Sequence, residues 1–501
     1  MDTNIKKSLE HAVKLHESGK ISEALEIYEK LNAQLPNEAD ILSLLGTAQY
    51  QMGDYQIGMQ TLHAALKINP TNALVYNNLG NALRELNLFA DALQCYDIAI
   101  SQKQDYAHAH HNRGLALKDL GRIDEAMQSY KKAIEYKIDY AEPYNNIANI
   151  YADQKDFDLA LEFYNKAIEI NPKYAIAYFN KALLKLLNGE FEDGWRLYEW
   201  RWEATGLKKV EKPEATLWLG KEDIAGKKIL VYAEQGLGDT LQFVRYIKLL
   251  KECGAFITLV VQPQLLATLE GYEGIQVIKN GDPVPKHDFY CPLLSLPLAF
   301  NTALETIPSD IPYLKADPKK VALWKAKLGL KTKLRIGLVW SGGFRPDQPE
   351  VWAINKRRNI PLNLFEPLKD IDAEFFSLQK GDAAERELVQ LKNVSWDGPE
   401  IIDYTKEIND FSDTAAFIEN LDLIISVDTS TPHMAGALGK NVWILSRYDN
   451  CWRWLINRKD SPWYPTATIF RQPTPGDWGS VIKEVNKLLT NLTRMGKVNK
   501  V

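Results

Sequence analysis

Two turns in the second half of the sequence carry residue types able to bind and activate substrates. In SVDTSTPHMAGALGK (426–440) an apolar run ends at Val427, and Asp428, Thr429, Ser430 and Thr431 form the loop before a helix predicted to begin near Pro432. Proline suits the first helical position because its missing N–H would be unpaired there in any case. Unpaired backbone N–H groups and the positive end of the helix dipole then favour a phosphate. Three hydroxyls stand beside it, and His433 lies one residue inside the helix, placed either to donate to the anion or to cap a neighbour. A helix capped by its own hydroxyls accounts for the same residues without a ligand. The second turn is EQGLGDTLQF (234–243), where Gly236 and Gly238 allow a tight backbone and Asp239 opens a helix. Asp239 reads either as a general base for an acceptor hydroxyl or as an N-cap. The spacing is not the GxGxxG dinucleotide fingerprint, and no acidic ribose ligand stands at the usual distance.

Both turns need strands ending in front of them. KILVYA (228–233), Phe256–Val261 and a shorter run at Gln276–Ile278 alternate with helical stretches, and 275–312 is rich in proline and turn residues. A second series holds RIGLVW from Arg335, Phe375–Leu378, Leu423–Val427 and Val442–Leu445. Strands alternating with helices indicate parallel sheets. The expectation is two Rossmann-like subdomains, 224–325 and 326–501, facing across a cleft that binds ligands at the carboxyl ends of the strands. The last helix, about Trp478 to Leu492, is expected to cross back to the first half.

Ahead of this region the chain repeats itself. Asn78, Asn112, Asn146 and Asn180 stand 34 residues apart, the step of a tetratricopeptide repeat. Small residues recur at the same step (Ala12, Gly46, Gly80, Gly114, Ala148, Ala182, and Ala24, Gly58, Ala92, Ala126, Ala160, Gly194), as does Tyr28, Leu62, Tyr96, Tyr130, Tyr164, Tyr198. Six units over 1–204 therefore predict an all-α superhelix with a concave groove, followed by a linker, 205–223. The small columns let paired helices approach, and the large column is expected to fill the space beside the next unit. Pro36, Pro70 and Pro172 close three units. An asparagine amide offers a donor and an acceptor, so the column is either a ladder for the backbone of an extended peptide or the repeat's own polar satisfaction. Glu10 and Leu44 replace it in the first two units.

Composition excludes several classes. With 60 Lys and Arg against 65 Asp and Glu, the net charge of −5 gives no electrostatic case for nucleic acid. Four dispersed cysteines form neither a zinc knuckle nor a redox pair. No apolar run is long enough to span a bilayer, and the N-terminus reads as repeat rather than leader, so a cytoplasmic protein is expected. His108, His110 and His111 read as packing, without the Cys or acidic partners of a metal site. Trp195, Trp200, Trp202, Trp452 and Trp454 read as buried packing rather than carbohydrate platforms.

GLGD at 236–239, WSG at 340–342, RRNIPL at 357–362, SLQKGD at 377–382 and DTSTPHMAGALG at 428–439 occur in the order and spacing that resembles the heptosyltransferase-like glycosyltransferases, glycosyltransferase family 9, which have the two-lobed GT-B fold. The resemblance covers 224 to about 490. It implies Asp239 as the base and a nucleotide-sugar diphosphate held in the second lobe by Asp428, Thr429, Ser430, Thr431 and His433, with Ser341 and Gln379 beside it and Lys380 and Arg358 as cations. Repeats followed by a GT-B unit are also similar in plan to O-GlcNAc transferase, which implies a protein acceptor in the repeat groove. The combined expectation is an all-α repeat superhelix plus an α/β catalytic unit. It would transfer a sugar from a nucleotide sugar to a protein hydroxyl, with inversion and without metal or resident cofactor. A non-catalytic adaptor, and an enzyme with a glycan or lipid acceptor, are the alternatives.

Overall fold

The structure, a computed structural model, describes residues 3–207, 215–234, 236–343, 352–393 and 396–498. Gln235 of the glycine turn and residues 208–214 of the expected linker lie outside the described residues. Contacts divide the chain into two units, Met1–Asn180 and Lys181–Val501.

The first unit is a stack of antiparallel helix pairs, from Thr3–Glu17 with Ile21–Gln34 to Ala141–Asp153 with Phe157–Ile170. Three second helices end at Gln34, Ile68 and Ile170, two residues before Pro36, Pro70 and Pro172, because the residue before a proline is driven out of helical conformation. The columns mesh within a unit. A Cβ on Gly80 would lie 2.6 Å from Tyr96 Cε1, and one on Gly114 2.5 Å from Tyr130 Cε1. The large residues Leu62, Tyr96 and Tyr130 thus pack on the glycine of their own unit, within a core cluster that runs on into neighbouring units. Burial of such rings at 0% exposure stabilises the stack, since each aromatic side chain removes about 150–250 Å² from water.

The second unit holds two parallel sheets. The strands are β1 (Thr216–Leu217), β2 (Lys228–Tyr232), β3 (Phe256–Val261), β4 (Gln276–Lys279) and β5 (Phe289–Pro292), then β6 (Leu334–Val339), β7 (Ala373–Ser377), β8 (Ile401–Asp403), β9 (Leu423–Val427), β10 (Asn441–Ser446) and β11 (Ala467–Arg471). Their orders are β1-β5-β2-β3-β4 and β11-β10-β9-β6-β7-β8. β2, β6 and β9 are buried along nearly their whole length, as apolar runs covered on both faces must be. The Pro318–Leu328 helix stacks Trp324 on Phe417 at 4.4 Å, so it packs with the second sheet. The terminal helix, Trp478–Val498, packs on the 362–370 turn and β11 of the second sheet rather than crossing back.

The helices after Lys181 belong to this unit. Trp195 meets Phe243 at 6.1 Å, Trp452 at 5.3 Å and Trp463 at 6.4 Å, a cluster joining the Phe191–Tyr198 helix to both sheet regions. Arg201, 2% exposed, donates to both oxygens of Glu234 at 2.8 and 2.9 Å and also to Glu199 and Ser295. Such a bidentate pair needs its remaining donors satisfied to justify burial, and here they are.

Candidate functional site

A cleft of about 350 Å³ opens at the carboxyl ends of the central strands, within the size range of small-molecule sites. Val339 ends β6, and Ser341 and Gly343 continue from it; Leu378, Gln379 and Lys380 follow β7; Thr429, Ser430 and Thr431 follow β9. Ile408, Asn409, Asp410, Phe411 and Thr414 form a further wall, and Leu237 and Gln264 come from the first sheet's side. Of the residues expected at the donor site, Ser341, Gln379, Lys380, Thr429, Ser430 and Thr431 thus share one surface.

The helix behind Thr429 spans Ser430–Ala437, so it begins two residues earlier than expected and Pro432 is its third residue. Its missing N–H still falls among the first four, which have no intrahelical partner. Thr429 is the extended N-cap residue (φ −136°, ψ −168°) but makes no side-chain capping bond; its hydroxyl lies 3.4 Å from Ser426 Oγ. That leaves the first-turn N–H groups of Ser430 and Thr431 without a cap from Thr429, at the positive end of the helix dipole. Lys380 is exposed and among the described residues donates one bond, to the Thr405 carbonyl at 2.8 Å, which leaves two ammonium hydrogens for an anion.

Other expected ligands support the wall instead. Gln379 is 2% exposed; its Oε1 accepts the backbone N–H of Trp340 at 3.1 Å and of Ser341 at 2.9 Å, and its Nε2 donates to the Lys380 carbonyl. The Arg358 guanidinium lies on the bare face of Gly342, where a Cβ would approach Nε at 2.3 Å, and donates to the Asp428 carbonyl at 2.9 Å and to Asn355. Arg358 thereby braces the WSG turn against the Asp428 loop. Burial works against charge on Asp428, yet the neighbouring guanidinium groups of Arg447 and Arg453 hold its carboxyl below the usual range. His433 is 3% exposed, stacks on Trp454 at 5.1 Å and pairs Nδ1 with Tyr464 Oη at 3.0 Å. Burial pushes its pKa down to about 3, so the ring is neutral near pH 7. Asp428, His433 and Arg358 are not among the residues of the cleft wall.

The two turns touch. A Cβ on Gly238 would lie 2.9 Å from His433 Cδ2 and 3.5 Å from Ser430 Cα. Asp239 is the third residue of the Leu237–Phe243 helix, whose N-cap is Gly236, so it is not the N-cap the sequence allowed. Its Oδ1 accepts from Arg453 Nη2, while Oδ2 lies over Gly236, where a Cβ would be 2.2 Å away. Leu237, rather than Asp239, reaches the cleft wall. Sequence reasoning missed Arg453, which stands between two tryptophans in CWRWL (451–455). It also missed Arg245, a 2% exposed guanidinium that donates to the carbonyls of Gln242, Pro308 and Trp463 and to Tyr313 Oη.

In the repeat unit the asparagine amides point to preceding units. Asn78 Nδ2 donates to Thr47 Oγ1 at 2.9 Å, Asn112 to Asn77 Oδ1 at 2.9 Å, and Asn180 to Asn145 Oδ1 at 3.0 Å. Asn146 Nδ2 pairs with His111 Nε2 at 2.9 Å, and Tyr140 Oη takes His111 Nδ1 at 2.9 Å. Burial pushes His111 down to about 3. His110 stacks on Tyr136 and bonds the Gln104 carbonyl, and no group of three metal-binding side chains occurs among the described residues. No helix among them is long and apolar enough to cross a membrane.

Comparison with known proteins matches residues 141–174, 80–121, 114–155, 64–94 and 163–196 to tetratricopeptide repeat families. Protein FlbA of Caulobacter vibrioides is 27% identical over 327 residues, covering 60% of this chain and 52% of its own. The chain therefore spans about half the length of that relative. Among solved structures, MamA is 26% identical over 35% of this chain and 98% of its own (TM-score 0.30), and the thermophilic repeat protein TTC0263 of Thermus thermophilus is 25% identical over 36% and 99% (TM-score 0.33). The N-terminal part of the chain is thus a tetratricopeptide-repeat superhelix, and an α/β region built on two parallel sheets follows it.

Proposed function

We propose that this protein is a glycosyltransferase that moves a sugar from a nucleotide sugar to a hydroxyl of a protein bound by the repeats, inverting the anomeric carbon and using no metal. One observation carries the reading. The Gly236–Asp239 turn packs against the Ser430 helix start beside a cleft at the carboxyl ends of the strands, where open parallel sheets bind ligands. The donor diphosphate lies at the first-turn N–H groups of Ser430 and Thr431, with Thr429, Ser341 and Lys380 around it; charge stabilisation of this kind usually dominates transfer chemistry. Asp239 takes the proton of the acceptor hydroxyl as its oxygen bonds the anomeric carbon and the bond to the diphosphate oxygen breaks.

Two observations favour other readings. Asp239 is ion-paired and off the cleft wall, as suits a nucleotide-sugar-binding adaptor without catalysis. The asparagine amides are engaged between repeats, as suits a glycan or lipid acceptor. A panel of nucleotide sugars tested for thermal stabilisation identifies the donor, because a ligand of the folded state raises the melting point. With that donor, Asp239→Ala lowers turnover by about a hundredfold and leaves donor affinity within about twofold. Binding without hydrolysis or acceptor labelling by the wild-type chain establishes the adaptor instead.

A further inference from the structure

Arg453 reaches Asp239 from a loop held in uncommon backbone conformations. Asn450, Leu455 and Asn457 have φ of 33°, 51° and 55°. Asparagine tolerates this region, but for a bulky residue such as leucine it is an outlier. Backbone of this kind persists where its surroundings over-determine it, and it concentrates at functional sites. Here the surroundings are dense: Trp452 and Trp454 flank Arg453 at 6% and 0% exposure. Arg471 pins the loop from both ends, donating to Asn450 Oδ1 at 2.8 Å and to the Trp454 carbonyl at 2.6 Å.

So anchored, the loop presents one cation. The Arg453 guanidinium lies 4.3 Å over the Trp452 ring, Nη1 contacts Cys451 Sγ at 3.3 Å, and Nη2 donates to Asp239 Oδ1. Its side chain is 14% exposed and that of Asp239 25%. The turn that carries Asp239 is fixed without it. Arg201 holds Glu234 ahead of the turn, Thr240 Oγ1 bonds Gln262 Oε1 at 2.9 Å behind it, and Gly238 packs on His433. Removing Arg453 therefore loosens the carboxylate rather than the backbone under it.

We propose that Arg453 is a positioning residue for sugar transfer: it grips Asp239 through Oδ1, so that Oδ2, over the bare face of Gly236, is the oxygen presented to the acceptor hydroxyl. The inference rests on the reading of Asp239 as the base. In the step, the hydroxyl proton passes to Oδ2 while the acceptor oxygen bonds the anomeric carbon and the diphosphate leaves with the electrons of the broken bond. Arg453 keeps all its protons throughout. A lysine preserves the charge but not the planar fork that grips Asp239 while stacking on Trp452.

The test measures transfer kcat, acceptor KM and donor Kd for the full chain and for Asp239→Asn, Arg453→Gln, Arg453→Lys and the Asp239→Asn/Arg453→Gln double variant. Arg453→Gln is expected to lower kcat by about tenfold or more with donor Kd within about twofold, and Arg453→Lys to recover part of the loss. The double variant should be no slower than Asp239→Asn alone, because groups that act as a unit are not additive. Wild-type kcat in Arg453→Gln, or losses that multiply in the double variant, would overturn the role of Arg453 while leaving the base intact. If Arg453→Gln does not fold, Arg453→Lys decides by the same criteria. Full activity in Asp239→Asn sinks the base and this inference together, as does a wild-type chain that transfers nothing.

Discussion

Replacing Gly238 with alanine tests whether the two turns meet as described. The added methyl would sit 2.9 Å from His433 Cδ2, about 0.6 Å inside the shortest comfortable carbon–carbon separation. His433 cannot swing aside cheaply, because one face stacks on Trp454 and Nδ1 is held by Tyr464. On the other side stands Ser430 Cα, which is backbone. Overpacking a buried contact costs about 1–3 kcal/mol, and alanine offsets up to about 1 kcal/mol of that through helix propensity. With that offset the net destabilisation is about 0–2 kcal/mol, or a fall of up to roughly 8 °C in the melting of the α/β unit at about 2–4 °C per kcal/mol for large domains. Because the displaced group is the first turn of the Ser430 helix, affinity for the stabilising nucleotide sugar should fall as well, by about tenfold. Thermal unfolding with and without that ligand reads both effects. A variant that melts higher than wild type and keeps its ligand shift would show that the turns are not in contact.

The repeats make two further predictions. His111 is neutral in the fold, with its pKa pushed down to about 3 by burial, against about 6.5 in an unfolded chain. The unfolded state then binds the extra proton, so the stabilisation is complete above about pH 6.5 and is lost as pH falls toward 3. Between pH 7 and pH 5 it should cost the repeat unit about 2 kcal/mol; urea midpoints at the two pH values measure this, and His111→Gln should remove most of the difference. Asn112→Ala strips the bond from Asn77 Oδ1, a side chain 4% exposed, and should cost about 1–3 kcal/mol. If transfer to a protein acceptor by the Asn112→Ala/Asn146→Ala variant falls no further than its folded fraction, the column serves the superhelix; a larger loss at full folding shows that it also grips peptide.

The repeat was legible because its signal is local and recurs. Each small residue and the large residue 16 positions later lie in adjacent helices of one unit, and the seating of Leu62, Tyr96 and Tyr130 on the glycines of their own units emerged only in three dimensions. The β/α alternation was legible for the long apolar strands. β8, with three residues, and β1, with two, are too short to show a period, and β5 lies in the proline-rich stretch that masks it. The contact division after Asn180 precedes the end of the repeat pattern near 204. The helices after Lys181 continue the repeat spacing in sequence but bury Trp195 and Arg201 among residues of the α/β unit.

By itself the sequence determined the 34-residue helical stack, the two alternating series and the turns where ligand-binding backbone must lie, because period, proline and glycine act through neighbours along the chain. Which atoms those turns leave available was settled only by tertiary structure. Gln379 is spent on backbone N–H groups, His433 on Tyr464, the asparagine amides on the preceding repeat, and one oxygen of Asp239, Oδ1, on an arginine 214 residues away. Hydrogen-bonding capacity is finite and is claimed by whatever the fold brings within about 3 Å, a proximity that no local pattern of residues encodes.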